Sequence, residues 1–408
     1  MTLLSVFIAL VFLYCLVSAR IDRTIVTAPI VFTFAGMVVY LVTSELGVHE
    51  NNQNAFLRLA EIGLVLLLFT DASRTDLRVL RNIRNLPARL LSAGMLLTLL
   101  FGLLAALVVF RGLSVWEAGI LAAILAPTDA GLGQIIVSSP RVPMKIREAL
   151  NVEAGLNDGL SVPFLLFFIA LAGAGAGGGP GLHQFILEQL GYGAVAGAGI
   201  GLIGGWLLGI AHRKKSVLES WSRLGVVAVP MLCLLASEAV GASMFIAAFV
   251  AGLAVQIGFK DAGKHSVDFT EEWGQIINLS VFFLFGMLVA RNWQHFTAAH
   301  VLYAVLSLTA VRMLPVAVSL MGTKLSRCTV FFMGWFGPRG LASIVLALVY
   351  LEHGAHHPGE STIRLAAMVT VLISIFAHGL SARPGIGLYA SAVAKLPSGS
   401  PERQNCEG

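Results

Sequence analysis

Long apolar runs alternate with short charged or glycine- and proline-rich breaks along the whole chain. A helix that crosses a bilayer needs about 20 mainly apolar residues, so these runs predict thirteen transmembrane helices. The first run ends in VSAR, which is similar to a signal-peptide cleavage site, but no positive charge precedes it, so we interpret it as a true span. The predicted ranges are 2–19, 24–44, 56–73, 90–110, 115–137, 146–173, 184–211, 223–240, 242–258, 274–290, 300–321, 328–350 and 364–382.

These helices predict an all-α polytopic membrane protein with a single transmembrane domain over residues 1–390. No stretch between the runs is long enough for a separate soluble domain. The remaining residues, 391–408, are polar, and we expect them to form a short, disordered cytoplasmic tail.

The fifth and twelfth predicted helices carry helix-breaking residues at their centres. Pro127 and Gly131 interrupt the fifth helix, and Pro338 and Gly340 interrupt the twelfth. These two helices hold corresponding places if helices 1 to 6 and 8 to 13 form two halves, and they run in opposite directions. Broken helices in corresponding places are typical of two inverted-topology repeats whose breaks cross near the bilayer midplane.

The composition favours a lipid environment. Charged residues make up 12% of the chain, about half of the roughly 25% that is usual in soluble domains. The chain has four cysteines without a CxxC spacing, which indicates neither a disulfide framework nor a zinc site. We expect no cofactor.

The basic residues follow the positive-inside rule. Of the 27 Lys and Arg residues, 21 lie in the tail or in connectors after odd-numbered helices, and two lie in connectors after even-numbered helices. This asymmetry predicts an inner-membrane protein with its N-terminus outside and its C-terminus in the cytoplasm. Because orientation accounts for the basic residues, the positive net charge does not indicate a nucleic-acid partner.

Five charged residues lie inside apolar segments. Asp129, Glu153 and Asp158 are in the fifth and sixth predicted helices, and Arg312 and Arg339 are in the eleventh and twelfth. A charge at the bilayer centre costs roughly 2.5–3.5 kcal/mol on insertion scales. Together the five are comparable with the folding stability of an ordinary protein, roughly 5–15 kcal/mol. We therefore interpret them as a functional site.

Helical spacing assigns roles within this site. Glu153 and Asn157 are four residues apart and share one face, whereas Asp158 lies on the adjacent face. Because burial disfavours the charged form of a carboxylate, Asp158 is our candidate for the group that exchanges a proton for a cation. Thr128 and Asp129 are placed to supply further oxygens, which hard cations prefer.

Each charged residue also has a purely structural interpretation. Asp129 would cap the N-terminus of a half-helix, and Arg339 would stabilise the negative end of another. Glu153 is a better candidate for the ion-pair partner of a buried arginine than for a cation ligand. The structural alternative for Asp158 is a salt bridge to Arg312 or Arg339.

Four motifs together resemble the pattern of a known family. They are TD at 128–129, NVEAGLND at 151–158, AVRMLP at 310–315 and GWFGPRGLASIV at 334–345. Together, and in this order over nearly the whole chain, they resemble the monovalent cation/proton antiporter family in its NhaP and sodium/proton exchanger branch.

The resemblance implies a secondary antiporter, not an enzyme, that exchanges a monovalent cation for H⁺ by alternating access and serves pH homeostasis. Na⁺ is the first candidate, with K⁺ and Li⁺ as alternatives. The resemblance also implies a homodimer in the lipid bilayer, whose core bundle moves against a dimerisation scaffold. The family pattern covers the cation- and proton-binding residues Asp158, Asn157, Thr128 and Asp129 and the pair Glu153 and Arg312.

Two positions depart from the family pattern. Many relatives have a hydroxyl residue where this chain has Ala154, so one cation ligand is missing, and many have proline where it has Ala130. Asparagine at position 157 leaves Asp158 as the one strongly placed titratable group. This predicts electroneutral exchange of one proton per cation.

Two other functions compete with antiport. An intramembrane aspartyl protease would use Asp129 and Asp158 as a pair that shares a proton, but LNDG is not the GxGD motif of such proteases. A cation channel would need a continuous pore. Two further residues have open roles: Asp71 lines an inner funnel or lies at a solvated helix end, and His378 is a candidate pH sensor.

Overall fold

The computed structural model describes residues 3–21, 24–42, 50–74, 86–174, 187–260, 262, 274–353, 358–397 and 399–403. These ranges are helical and contain no β-strand. In chain order the helices are α1 (Leu3–Ile21), α2 (Ala28–Val42), α3 (Glu50–Arg74), α4 (Pro87–Val109), α5 (Val115–Ile124), α6 (Ala130–Val137), α7 (Met144–Ala174), α8 (Leu187–Arg213), α9 (Glu219–Val240), α10 (Met244–Gly258), α11 (Gln275–Asn292), α12 (Ala298–Leu308), α13 (Ala310–Ser319), α14 (Arg327–Trp335), α15 (Leu341–His353) and α16 (Glu360–Ala394).

The predicted all-α membrane fold is confirmed. Each predicted span coincides with a helix, or with two consecutive helices, of the described chain. Within the described ranges, eight helical spans are long and apolar enough to cross a membrane, and α2, α5, α10 and α15 are shorter apolar helices.

The fifth and twelfth predicted spans are each divided into two half-helices. The first pair is α5 and α6, separated by residues 125–129, and the second pair is α14 and α15, separated by residues 336–340. Pro127 and Pro338 lie in these breaks, where a residue without an N–H cannot continue the helical hydrogen-bond pattern. Pro127, Pro338 and Gly340 therefore predicted the positions of the interruptions, whereas Gly131, which was expected in the first break, lies in the first turn of α6.

A stripe of glycines brings α8 close to α10. A Cβ at Gly201 would come within 2.6 Å of the Ala251 carbonyl oxygen, so this approach of the two backbones requires glycine. The same close approach recurs at every turn of α8, at Gly193, Gly197, Gly201, Gly205 and Gly209.

The last helix is longer than the sequence predicts. It continues beyond position 382 to Ala394, because Ile386 and Tyr389 extend its buried face. The Tyr389 ring stacks on Phe332 of α14, with a centroid distance of 4.0 Å. The prediction of a tail beginning at residue 391 therefore placed its start too early.

The chain after α16 packs back onto the start of α14. The Glu402 carboxylate accepts hydrogen bonds from the Ser326 N–H at 2.6 Å and from the Thr329 hydroxyl at 2.9 Å. The expectation of a disordered tail is thus wrong for the described residues up to 403, because Glu402 binds free donors at the N-terminus of α14.

Candidate functional site

The two helix breaks cross each other. The Asp129 N–H, at the end of the first break, donates to the Pro338 carbonyl oxygen in the second break at 2.8 Å. Each break leaves backbone donors and acceptors without helical partners, and here the two breaks supply partners to each other. The crossing therefore brings together the predicted broken-helix residues from both halves of the chain.

Asp129 caps two half-helices at once. Its Oδ1 accepts from the Leu132 N–H of α6 at 2.9 Å, and its Oδ2 accepts from the Leu341 N–H of α15 at 2.5 Å. A carboxylate is favourable at the positive end of a helix, and this one serves a helix N-terminus from each half. A Cβ at Gly340 would overlap the Asp129 carboxylate, so glycine is required there.

Gly131 lies beside the same carboxylate. A Cβ at this position would lie 3.1 Å from Asp129 Oδ1 and 3.2 Å from the amide nitrogen of Asn278 on α11. The sequence analysis missed Asn278, and its only signal was a polar residue inside the tenth apolar run.

Arg339 stabilises the opposite kind of helix end. Its guanidinium donates to the carbonyl oxygens of Ala126 and Pro127, just beyond the C-terminus of α5. In the described part of the chain it forms no salt bridge within 4.0 Å. Of the two interpretations of Arg339, the geometry therefore favours stabilisation of a half-helix end over ion pairing.

Glu153 and Arg312 form a buried salt bridge. The Arg312 guanidinium donates to both carboxylate oxygens of Glu153, at 2.5 and 3.0 Å, and both side chains are at most 5% exposed. A side chain at Gly337 would run into the Arg312 guanidinium. The FGPRG segment at 336–340 thus accommodates this pair as well as the helix break, a role for Gly337 that the motif alone did not indicate.

Thr128 and Asn157 are joined by two hydrogen bonds. The Thr128 N–H donates to Asn157 Oδ1 at 3.2 Å, and Asn157 Nδ2 donates to the Thr128 hydroxyl at 2.7 Å. Asn157 therefore fixes the first break against α7, next to Asp158.

Asp158 is buried, and one of its carboxylate oxygens has no hydrogen-bond partner among the described residues. Its side chain is 2% exposed, and no described residue donates a hydrogen bond to its Oδ1. The charged groups that act on it electrostatically are Asp129, Asp71 and Arg339. A buried carboxylate oxygen without a donor is unfavourable unless it carries a proton or binds a cation.

Asp71 of α3 also faces this region. A Cβ at Gly155 would lie 3.2 Å from the Asp71 Cβ, and Gly155 precedes Asp158 by three residues on the same face of α7. This position favours the interpretation of Asp71 as a residue close to the site over that of a solvated helix end. Its sequence signal was one acidic residue at the end of an apolar run.

A small cleft lies at the crossing. It reaches the Thr128 and Asp129 region but is not lined by Asp158. Ala154 faces this cleft. Its lining residues are Thr128, Asp129, Ala130, Gly133, Ile136, Val137, Leu150, Asn151, Glu153, Ala154, Phe336 and Pro338.

The match to a known family extends over nearly the whole chain. Residues 6–385 match the family model described as "Sodium/hydrogen exchanger, transmembrane". The chain belongs to the sodium/hydrogen exchanger family. This is a family of transporters, not of enzymes, and the match gives no support to the aspartyl protease or to the channel.

Several members of the sodium/hydrogen exchanger family resemble the chain at low identity. The K(+)/H(+) antiporter NhaP of Alkalimonas amylolytica is 27% identical over 386 residues, which cover 92% of this chain and 65% of that protein. The Na(+)/H(+) antiporter of Schizosaccharomyces pombe is 26% identical over 250 residues, 56% of this chain and 53% of that protein. The chain thus spans less than two thirds of the length of these relatives.

The exchanger fold is also found among solved structures. The sodium proton antiporter MjNhaP1 of Methanocaldococcus jannaschii at pH 8 has a TM-score of 0.71 to this chain and 20% identity. The match covers 93% of this chain and 100% of that one. The two proteins therefore share their helical architecture.

Proposed function

We propose that this exchanger is a secondary antiporter that exchanges a monovalent cation for H⁺ across the inner membrane. The observation that carries the proposal is Asp158, a buried carboxylate at the crossing of two broken helices, with an oxygen that no described residue satisfies. Such an oxygen is stabilised either by protonation or by a cation. Alternation between these two states is the chemistry of antiport.

Asp158 carries the exchanged ion in this proposal, and its neighbours complete the site. Backbone N–H groups, including those of Leu132 and Leu341, donate to both carboxylate oxygens of Asp129, and a carboxylate has further lone pairs with which to bind a cation. The Thr128 hydroxyl supplies another oxygen, held in place by Asn157. These oxygens suit a hard monovalent cation.

The charge balance supports exchange of one proton per cation. Glu153 and Arg312 neutralise each other, and Asp129 is stabilised by two helix N-termini. Of the three acids predicted for the site, Asp158 then remains as the group whose charge must be balanced by a proton or by a cation. Exchange of one for the other moves no net charge.

The cation is Na⁺ in the proposal, with K⁺ and Li⁺ as alternatives. The printed names of the relatives include both a K(+)/H(+) and a Na(+)/H(+) antiporter. Ala154 at the cleft leaves one oxygen fewer than a hydroxyl residue would supply.

The remaining features of the proposal concern the assembly. From the distribution of basic residues, we propose that the N-terminus lies outside and the C-terminus in the cytoplasm. We further propose a homodimer in the lipid bilayer, as the family resemblance implies. Exposed apolar side chains of α1, such as Leu4, Ile8 and Phe12, suit contact with lipid or with a second copy.

The decisive experiment is cation-induced collapse of a pH gradient in proteoliposomes, with Na⁺, K⁺ and Li⁺ compared for the intact protein and for Asp158→Asn. Glu148→Gln, which removes a carboxyl from the first turns of the same helix, is the matched control. Collapse by one cation that is lost only in Asp158→Asn supports the proposal. If no cation collapses the gradient with the intact protein, antiport of these ions is ruled out.

A further inference from the structure

Two side chains of α16 reach across the second helix break. The Ser374 hydroxyl accepts a hydrogen bond from the Arg339 N–H at 2.6 Å, at the end of the break. The imidazole of His378, one turn later, has its Nε2 at 2.8 Å from the Trp335 carbonyl oxygen, where α14 ends. Ser374 and His378 thus contact the two sides of the interruption between α14 and α15.

These contacts form one continuous chain of hydrogen bonds. The Ser374 hydroxyl lies 3.1 Å from His378 Nδ1. In the neutral tautomer with its proton on Nε2, His378 donates to Trp335 O and accepts from the Ser374 hydroxyl, which in turn accepts from Arg339 N–H. His378 Nδ1 also lies 3.0 Å from the Ser374 carbonyl oxygen. In this tautomer each N–H and O–H of the chain has an acceptor, so the neutral imidazole joins both sides of the break.

The surroundings of the imidazole favour this neutral form. His378 is 2% exposed, and the charged groups that act on it are the guanidinium groups of Arg339 and Arg312. The Trp335 ring packs against it with a centroid distance of 5.1 Å. Burial and the two nearby guanidinium groups oppose a positive charge on this imidazole.

The break that His378 spans determines the geometry of the ion site. The Arg339 guanidinium donates hydrogen bonds to the carbonyl oxygens of Ala126 and Pro127. The Leu341 N–H donates to the Asp129 carboxylate. A shift of this break would therefore displace Arg339 and loosen one of the two caps on Asp129.

We propose that His378, acting through Ser374, is a positioning residue for cation and proton exchange, which holds the α14–α15 break in the conformation that orders the ion site. The inference rests on the proposed antiport, but it assigns a function to a residue that touches neither the cation nor the acid. It predicts that the hydrogen-bonding capacity of position 378, more than its volume, supports transport.

The first test measures the break itself and does not depend on transport. Hydrogen exchange of the amides at 336, 337 and 339–341 is compared in nanodiscs for the intact protein, His378→Ala, His378→Gln and Ser374→Ala. Thr370→Val is the matched control, because the Thr370 hydroxyl bonds to Ala366 O within α16, one turn before Ser374. We expect exchange at Arg339 and Leu341 to rise about tenfold in His378→Ala and Ser374→Ala, as expected for loss of a buried hydrogen bond.

Glutamine at position 378 retains a side-chain N–H that can donate to Trp335 O. In His378→Gln we therefore expect the Arg339 and Leu341 amides to exchange at rates within about threefold of those in the intact protein. Unchanged protection of these amides in both His378→Ala and Ser374→Ala would overturn the proposal, whatever the transport assay shows. Equal loss of protection in Thr370→Val would overturn it too, because the effect would then reflect general loosening of α16.

The second test separates positioning from binding. In proteoliposomes, His378→Ala should lower the maximal rate of exchange about tenfold with the cation KM changed less than about threefold, and His378→Gln should restore most of the rate. If His378→Ala raises hydrogen exchange at the break but leaves the maximal transport rate unchanged, the positioning role is refuted. If the intact protein moves no cation, the proposed antiport fails, and hydrogen exchange still decides whether His378 holds the break.

Discussion

Glu153 and Arg312 lie 159 positions apart in the chain and form a buried salt bridge with N–O distances of 2.5 and 3.0 Å. The pair connects α7 to α13 and carries no net charge. It therefore stabilises the site without neutralising Asp158, which leaves that carboxylate for the transported ions.

Removing one partner of this salt bridge should destabilise the protein strongly. Glu153→Leu leaves the Arg312 charge buried alone, and we expect a loss of about 3–5 kcal/mol of folding stability. The double variant Glu153→Leu/Arg312→Leu should recover most of this loss, because it buries no unpaired charge. Thermal unfolding in detergent measures both, with Glu148→Leu as the control. A double variant as unstable as the single one would contradict this account.

Glycine at position 340 should be required by the Asp129 carboxylate. In Gly340→Ala the new Cβ would overlap that carboxylate, and we expect overpacking to cost about 1–3 kcal/mol. Gly199→Ala is the control, since a Cβ there meets nothing within 4 Å and should stabilise α8 by about 0.5–1 kcal/mol. Equal melting temperatures for the two variants would show that Asp129 does not occupy this position.

Asp71 should modulate cation binding without adding a second transported proton. Asp71→Asn removes a negative charge near Asp158, so we expect the cation KM to rise about threefold to tenfold. The rate should stay independent of membrane potential in both proteins, which valinomycin-imposed potentials test at fixed ion gradients. A rate of the intact protein that responds to potential, with the response lost in Asp71→Asn, would instead assign a second proton to Asp71.

Introducing a hydroxyl at position 154 should improve cation affinity. Ala154→Ser places an additional oxygen at the cleft, and one more polar contact should lower the Na⁺ KM about threefold to tenfold. Ala170→Ser, farther along the same helix, is the control. An unchanged KM in Ala154→Ser would exclude position 154 from the cation pathway.

The contact of Glu402 with α14 should depend on pH. Burial raises the pKa of Glu402, but hydrogen bonds from the Ser326 N–H and the Thr329 hydroxyl outweigh this and leave the pKa below its usual range. Because the folded pKa is lower than the unfolded value, about 4.3, the stabilisation is present above that pH and is lost as pH falls through the folded pKa.

The measurement for Glu402 compares the melting temperatures of the intact protein and Glu402→Gln. Their difference should be constant between about pH 6 and pH 8 and should shrink toward about pH 3. A difference that grows as the pH falls would contradict the assigned sign.

The sequence was sufficient for the features that depend on local chemistry. Apolar run lengths predicted the helices, and Pro127 and Pro338 marked both breaks. The need of a buried arginine for a countercharge also predicted that Glu153 pairs with an arginine, because an unpaired charge in an apolar span is unfavourable. The choice of Arg312 over Arg339 came from the family resemblance.

Other features depend on contacts that leave no local signal. The second cap made by Asp129 binds the backbone N–H of Leu341, 212 positions away, and an N–H is present at almost every position of a sequence. The proximity of Asp71 to Gly155 depends on the rotation of α3 against α7. The extension of α16 depends on the stacking of the Tyr389 ring on Phe332. A hydropathy pattern does not predict such a contact between distant residues.

The double cap on Asp129 has a mechanical consequence. One carboxylate ties a half-helix of the first repeat to a half-helix of the second, so neither break can widen alone without giving up a hydrogen bond at the other. The Asp129 side chain thus couples the two breaks mechanically. We expect it to travel as a single rigid unit, with the change of access arising where that unit slides past the surrounding helices.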